Sequence, residues 1–262
     1  YISKLEKVFG EDALIIKREK NGGCTGAYND GIKYAMKNTD ADAIVIIAND
    51  IRLSKGCLRE LYNYLYSDNT LGLVSAIMLL RDSDIIEDFG HKVETLKIHF
   101  LDCGKKYSDI VREERYTDLV SGGFNMAKLE FYEKVGLQDE NLFMYGDELD
   151  MSIRSKQAGY KIGITSKVFV WHWHIDDPLI NTRRPAVNYL IARNRVYLAR
   201  KHFGNRKVFS AFFTFGLKQS LFFLFAGIIK QDKIRLQKAM YCFMGGVNGF
   251  RGDMRLNKYT KF

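Results

Sequence analysis

Hydrophobic residues along the chain follow two rhythms. Ala43, Ile44, Val45, Ile46 and Ile47 form an unbroken apolar run that leads into Asn49 and Asp50, which predicts a strand buried on both faces, as in parallel sheets. Leu71 to Leu80 predicts a second buried strand, and Asp12 to Lys17 (DALIIK) a short one near the start. Between them the apolar positions fall at helical spacing: Ala27, Tyr28, Ile32, Ala35 and Met36 in Thr25–Lys37, then Leu58, Leu61, Tyr62 and Leu65. Strand, helix and strand over residues 12–47 read as one βαβ step with parallel pairing. A further helix-like run covers Ile2 to Phe9.

From Arg81 to Asp118 the periodicity fades and charge rises, predicting a long excursion with a hairpin near Val93–Leu101, either a lid or a solvated decoration. Helical spacing returns at Leu129, Phe131, Tyr132 and Val135, with Gly136 placed as a C-terminal cap. Another helix begins near Asp147. Short strands are predicted at Lys161–Ile164 and Val168–Trp171, and a helix at Ala186–His202. Val208 to Ile229 is a phenylalanine-rich run interrupted by Lys218 and Gln219.

The alternation of strands and helices places the chain in the α/β class. At 262 residues with 47% hydrophobic content, it supports one substantial core: an α/β domain over 1–203 and a helical, aromatic-rich region over 204–262. The four cysteines lack CxxC spacing, which points to reduced thiols and a cytoplasmic setting rather than a disulfide frame or zinc site. The first residue is Tyr1, so the sequence reads as a fragment lacking its natural start.

A net charge of +9 suits a polyanion or an acidic membrane surface. Nucleic acid is disfavoured, because the phenylalanines gather in one apolar run instead of interleaving with basic residues. That run, flanked by Arg206, Lys207, Lys230, Lys233 and Arg235, suits an interfacial helix peripheral at the inner face of a membrane, or packing against the body or a second subunit.

Several residues carry candidate chemistry. Asp50 ends a strand where open α/β sheets bind ligands; it would hold a divalent metal on a diphosphate, or simply open a polar turn. Asn21, Gly22 and Gly23 precede a helix and would cradle a phosphate or form an ordinary turn. Asp147, Glu148 and Asp150 suit a helix dipole, but Phe143 and Tyr145 nearby would desolvate a carboxyl group toward general-base use. His172 and His174 alternate and so share one side of an extended segment, as metal ligands or as structural residues. Arg193, Arg195, Arg200 and Lys201 lie on one helix, suiting phosphate oxygens or a solvated face.

Taken in order, these segments resemble the family 2 glycosyltransferases, inverting enzymes of GT-A fold, and most closely the rhamnosyl- and galactosyltransferase branch of bacterial surface polysaccharides. The resemblance is carried by Asn21-Gly22-Gly23 with Gly26, Asn29, Gly31 and Ile32, by AIVIIAND, by SGGFNM, by LFMYGDELDMSIR, by His172 and by RNRVYLARKHF. It implies a Rossmann-like, mostly parallel sheet flanked by helices, a nucleotide-diphosphate sugar donor and a saccharide or lipid-linked acceptor. It further implies Mg2+ or Mn2+ on Asp50 and His172, with donor contacts from Asn21, Gly22, Gly23, Asn29, Asn49 and Arg193. Gly122, Gly123, Phe124 and Tyr145 would form the acceptor site, and Glu148, with Asp147 as rival, would be the base.

The chain departs from the family pattern in three places. Ala48 stands where a ligand-type residue is usual, the acidic pair is Asp-Glu rather than Glu-Asp, and the family's first strands have no counterpart. These departures motivate the alternative of a catalytically silent domain of this fold that binds sugar or membrane.

Overall fold

The computed structural model describes residues 2–10, 13–173 and 184–260. In chain order its first elements are α1 (Ile2–Phe9), α2 (Gly23–Asn38), β1 (Ala43–Ile47), β2 (Ile51–Leu53), α3 (Cys57–Ser67) and β3 (Leu71–Leu80). There follow β4 (Ile86–Asp88), β5 (His91–Glu94), β6 (Lys97–Phe100), β7 (Glu114–Thr117), β8 (Phe124–Lys128), α4 (Leu129–Val135), α5 (Asp147–Gln157) and β9 (Lys161–His172). The carboxyl-terminal part is helical: α6 (Pro185–Phe203), α7 (Asn205–Ala211), a π-helical segment Phe212–Lys218, α8 (Gln219–Ile229) and α9 (Lys233–Arg251).

The central sheet runs β1-β8-β3-β9-β2, with β4 on β3 and β7 on β9. Buried along almost its whole length, β3 sends alternate side chains to opposite faces. Leu73, Ile77 and Leu79 meet Ile32, Phe131 and Met151 from α2, α4 and α5, whereas Val74, Ala76 and Met78 meet Leu61 and Leu65 of α3. Helices thus cover both faces, and the α/β class holds.

Four details of the sequence reading change. The sheet is mixed: β3 and β9 are parallel, while β1–β8, β8–β3, β2–β9 and β7–β9 are antiparallel. β1 lies at the end of the sheet rather than inside it; Ile46 is buried but Ile47 is 43% exposed. Residues 13–17 form no strand, so the βαβ step is not built; Leu14 and Ile16 are exposed, and a strand without a partner ladder does not persist. The two short strands over 161–171 are one strand whose register shifts opposite Ala76 and Ile77.

The excursion over 81–118 builds the expected hairpin, β5 with β6, and also contributes β4 and β7 to the main sheet. In the helical part α9 carries Gly245 and Gly249, where a Cβ would stand 2.3 Å from the Tyr189 carbonyl and 2.4 Å from that of Arg193. Backbone-to-backbone approach of α6 and α9 depends on those missing side chains.

Candidate active site

The turn Ser121–Gly123, entering β8, joins two groups of acidic side chains. On one side the Ala48 amide donates to the Gly123 carbonyl (2.7 Å), fixing the end of β1. The chain then turns through exposed Asn49 and half-buried Asp50 into β2. Because Ile51 pairs with His172 across the β2–β9 ladder, Asp50 is carried next to that imidazole, with Nε2 3.5 Å from Asp50 Oδ2. The other ring nitrogen, Nδ1, lies 3.1 Å from Glu87 on β4. Burial pulls the His172 pKa down, but Glu87 and Asp50 outweigh it and the net direction is up.

This row of carboxylate, imidazole and carboxylate suits a hard divalent ion. Asp50 Oδ2 and His172 Nε2 are spaced as neighbouring ligands, and a carboxylate on the far nitrogen is how ligating histidines are oriented. Among the described residues no cluster of three metal-ligating side chains occurs, so the remaining positions would fall to substrate phosphates and water. His174 lies outside the described residues.

On the other side of the turn stands the carboxyl pair at the start of α5. The chain reaches it through three residues with positive φ, Phe143 (60°), Tyr145 (67°) and Gly146 (95°). Asp147 is buried and Glu148 half-buried, with Glu148 Oε2 accepting from the Gly146 amide at 3.2 Å. Gly122 lies directly against them: a Cβ there would be 2.9 Å from Glu148 Cγ and 3.3 Å from Asp147 Oδ2. Burial first, and then the neighbouring Glu148, push the Asp147 carboxyl well above the usual range.

Tyr28 of α2 lies within electrostatic reach of both groups. Its hydroxyl is pushed up by burial and by the charges of Cys24, Asp147, Glu148 and Asp50 together. The same helix begins tightly packed on this region, since Gly23 (φ 70°) would place a Cβ 2.0 Å from the Phe143 carbonyl. Only a residue without a side chain fits there.

The remaining site residues separate into those near this space and those buried away from it. Asn21 Oδ1 caps the Gly23 amide (3.0 Å) and Gly22 packs on the Arg18 guanidinium, so this segment forms the helix start. Asn29 is buried and exchanges hydrogen bonds with the Gln138 backbone (2.9 Å each way), a structural tie rather than a donor contact. Phe124 is fully buried in the core and presents no surface to an acceptor. Arg193 is also fully buried, donating to the carbonyls of Met254 (3.0 Å) and Leu142 (3.5 Å), which removes it from any diphosphate.

The arginine that does sense the site is Arg195, whose pKa falls to about 10 through burial, opposed by the charge of Glu148. Helical spacing does not separate the two: Arg193 shares its face with buried Tyr189, Leu190 and Val196, and Arg195 with buried Ala192, Leu198 and Ala199. Sequence reading named Arg195 only among basic residues suited to phosphate oxygens, and it did not single out Glu87 or Tyr28 for this site. The IED strand, with Ile86 and Asp88 buried on one side and Glu87 on the other, was the available signal for Glu87.

Known proteins resemble this chain in sequence and in fold. The chain is 26% identical over 191 residues to the low-salt glycan biosynthesis hexosyltransferase Agl10 of Haloferax volcanii, a match that covers 71% of the chain and 59% of that protein. It is 26% identical over 213 residues to the galactofuranosyltransferase GlfT2 of Mycolicibacterium smegmatis, covering 73% of the chain and 32% of the relative. No protein-family model matches.

Among solved structures, GalNAc-T7 with UDP, GalNAc and Mn2+ aligns with a TM-score of 0.54 at 14% identity, over 76% of this chain and 38% of that one. The mannosyltransferase PcManGT from Pyrobaculum calidifontis, with GDP-Man and Mn2+, aligns with a TM-score of 0.51 at 13% identity, over 95% and 72%. The chain thus shares the GT-A fold of these structures, and the relatives it resembles in sequence are named as sugar transferases.

Proposed function

We propose that the chain is an inverting glycosyltransferase that moves a sugar from a nucleotide-diphosphate donor to a hydroxyl of a saccharide or lipid-linked acceptor in surface polysaccharide synthesis. The observation that supports this best is the Ser121–Gly123 turn, which touches Ala48 beside Asp50 on one side and Glu148 on the other. One short turn therefore links the neighbourhoods of the donor-side and acceptor-side carboxylates.

Asp50 and His172 would hold Mg2+ or Mn2+ with the donor diphosphate, and the ion would supply Lewis-acid neutralisation of the leaving group. The chain's own residues do the rest. Glu148 accepts the proton as the acceptor O–H bond breaks. The oxygen forms its bond to the anomeric carbon opposite the departing nucleotide diphosphate, which leaves with the electron pair of the broken C–O bond, and the configuration inverts. Gly122 keeps the approach to Glu148 open.

The test is a nucleotide-sugar screen with Mn2+, followed by Glu148→Gln. Transfer should fall by roughly 10²–10⁴-fold while donor affinity in calorimetry persists. Near-normal turnover in that variant would overturn the assignment, and absence of transfer with every donor would favour the silent domain that Ala48 suggests.

The same reading places the protein at the inner face of a membrane. Asn205–Ile229 is the helix among the described residues long and apolar enough to cross a bilayer, and only 11% of its most apolar window is buried. Phe222 and Phe225 are 64% and 60% exposed, and Arg206, Lys207, Lys230 and Lys233 are exposed at its ends. Such a face, with Lys218 exposed midway, supports lying in the headgroup region rather than spanning it.

A further inference from the structure

Beside the carboxyl pair lies a small chamber of about 20 Å3 whose wall includes Asn125, Gln138, Asp147, Glu148 and Ser152. Three buried side-chain oxygens on that wall have no hydrogen-bond partner in the protein: Asn125 Oδ1, Gln138 Oε1 and Asp147 Oδ1. The orientation of Asn125 is fixed, because its Nδ2 donates to the carbonyls of Ser121 (3.3 Å) and Gly122 (3.4 Å). Asp147 directs its other oxygen, Oδ2, toward Gly122. A buried acceptor left without a donor is costly, so three of them on residues lining one chamber call for a shared partner.

Size and stoichiometry select that partner. A water needs a chamber of roughly 10–15 Å3 and two or more polar contacts. A single water has two protons to give, and the two amide oxygens take both. Its contact with Asp147 must then run the other way, with the carboxyl group as donor.

We propose that the chamber is a binding site for one water, which donates to Asn125 Oδ1 and Gln138 Oε1 and accepts from protonated Asp147. Asn125, Gln138 and Asp147 become positioning residues that leave the single negative charge of the pair on Glu148. Burial and the neighbouring Glu148 favour the same protonated form of Asp147. The titratable groups around it are Glu148 and Asp150 on α5, Cys24 and Tyr28 on α2, and Arg195 on α6, which faces Glu148. Only the last step, from charge placement to proton acceptance, rests on the transferase reading.

Two measurements decide it. High-resolution crystallography of the chain should show one water about 2.6–3.2 Å from all three oxygens. A chamber without density, or a monovalent cation with ligand-length contacts, would overturn the proposal whether or not the protein transfers sugar. In the active enzyme, Asp147→Asn retains a donor in place of the acid proton, so the acid limb of the kcat–pH profile should stay in place. A downward displacement of roughly one pH unit or more, the effect of removing a neighbouring charge, would show that Asp147 is ionised and refute the charge placement. Glu148→Gln should abolish the limb. If Asp147→Asn does not fold, the crystallographic result alone decides.

Discussion

Gly122→Ala is the sharpest perturbation the site offers. The added methyl would lie 2.9 Å from Glu148 Cγ and 3.1 Å from Oε1. Carbon atoms rest at about 3.5–4.0 Å, so the Glu148 side chain has to retreat by something between about 0.6 and 1 Å. It moves against the start of α5, where Asp147 is buried and offers no room. A misplacement of about 1 Å costs about 10²-fold in rate, equivalent to about 2.7 kcal/mol in the barrier.

The assay is transfer of a radiolabelled or fluorescent sugar, with kcat measured at saturating donor. kcat should fall by one to two orders of magnitude while the donor dissociation constant in calorimetry holds, since the methyl lies on the acceptor side of the turn. Gly123→Ala serves as a folding control: its Cβ would meet Ala48 Cβ at 3.6 Å, an ordinary contact, so its unfolding midpoint should match the parent within about 0.5 kcal/mol. A folded Gly122→Ala enzyme with unchanged kcat would refute the placement of Glu148 at the reacting hydroxyl.

Other tests concern the frame and the surface. Arg193→Lys should destabilise the protein by about 3 kcal/mol, lowering the thermal midpoint by roughly 5–10 °C, because an ammonium does not reproduce the guanidinium fork. Unchanged stability with weakened donor binding would return Arg193 to the diphosphate. Asp150 is pushed up by burial, but His202, Arg154 and Lys201 outweigh this and hold it at about 2. A depressed carboxyl pKa stabilises the fold above the unfolded value and loses that contribution as pH falls. The deficit of Asp150→Asn in urea unfolding should therefore be at least about 2 kcal/mol at pH 7 and shrink from about pH 4 downward; a constant gap would contradict the network. In vesicle flotation the protein should bind phosphatidylglycerol over phosphatidylcholine. Phe222→Ser with Phe225→Ser should weaken binding at least about tenfold, whereas a concentration-dependent dimer without vesicle binding would assign that face to a second subunit.

How much of this was legible in the sequence depended on range. Helix positions followed from local spacing, so α2, α3, α5 and α6 lie where the periodicity puts them. β3 was legible because burial on both faces leaves a continuous apolar run. Strand pairing is a non-local property, and AIVII reads the same at the end of a sheet as inside one. The turn at Gly122 and the acidic pair were recognisable as separate motifs, but their contact depends on how β8 and α5 pack. Likewise Glu87 and His172 are far apart in sequence and meet only because β4 and β9 flank β3. Arg193 was misplaced for a different reason: a guanidinium that satisfies buried carbonyls has the same letter as one that binds phosphate.

That arginine also bears on modularity. From the middle of α6 it grips the carbonyls of Asn141 and Leu142 ahead of α5 and those of Met254 and Arg255 beyond α9. The boundary suggested near residue 203 is thus stitched across by one buried cation. A chain trimmed to its first 203 residues would keep every candidate site residue yet strip that cation of two of its carbonyl partners and bare the face of α6 that α9 covers. The helical region is part of the scaffold that holds the approach to α5, and limited proteolysis should find a single resistant unit rather than a core with a removable tail.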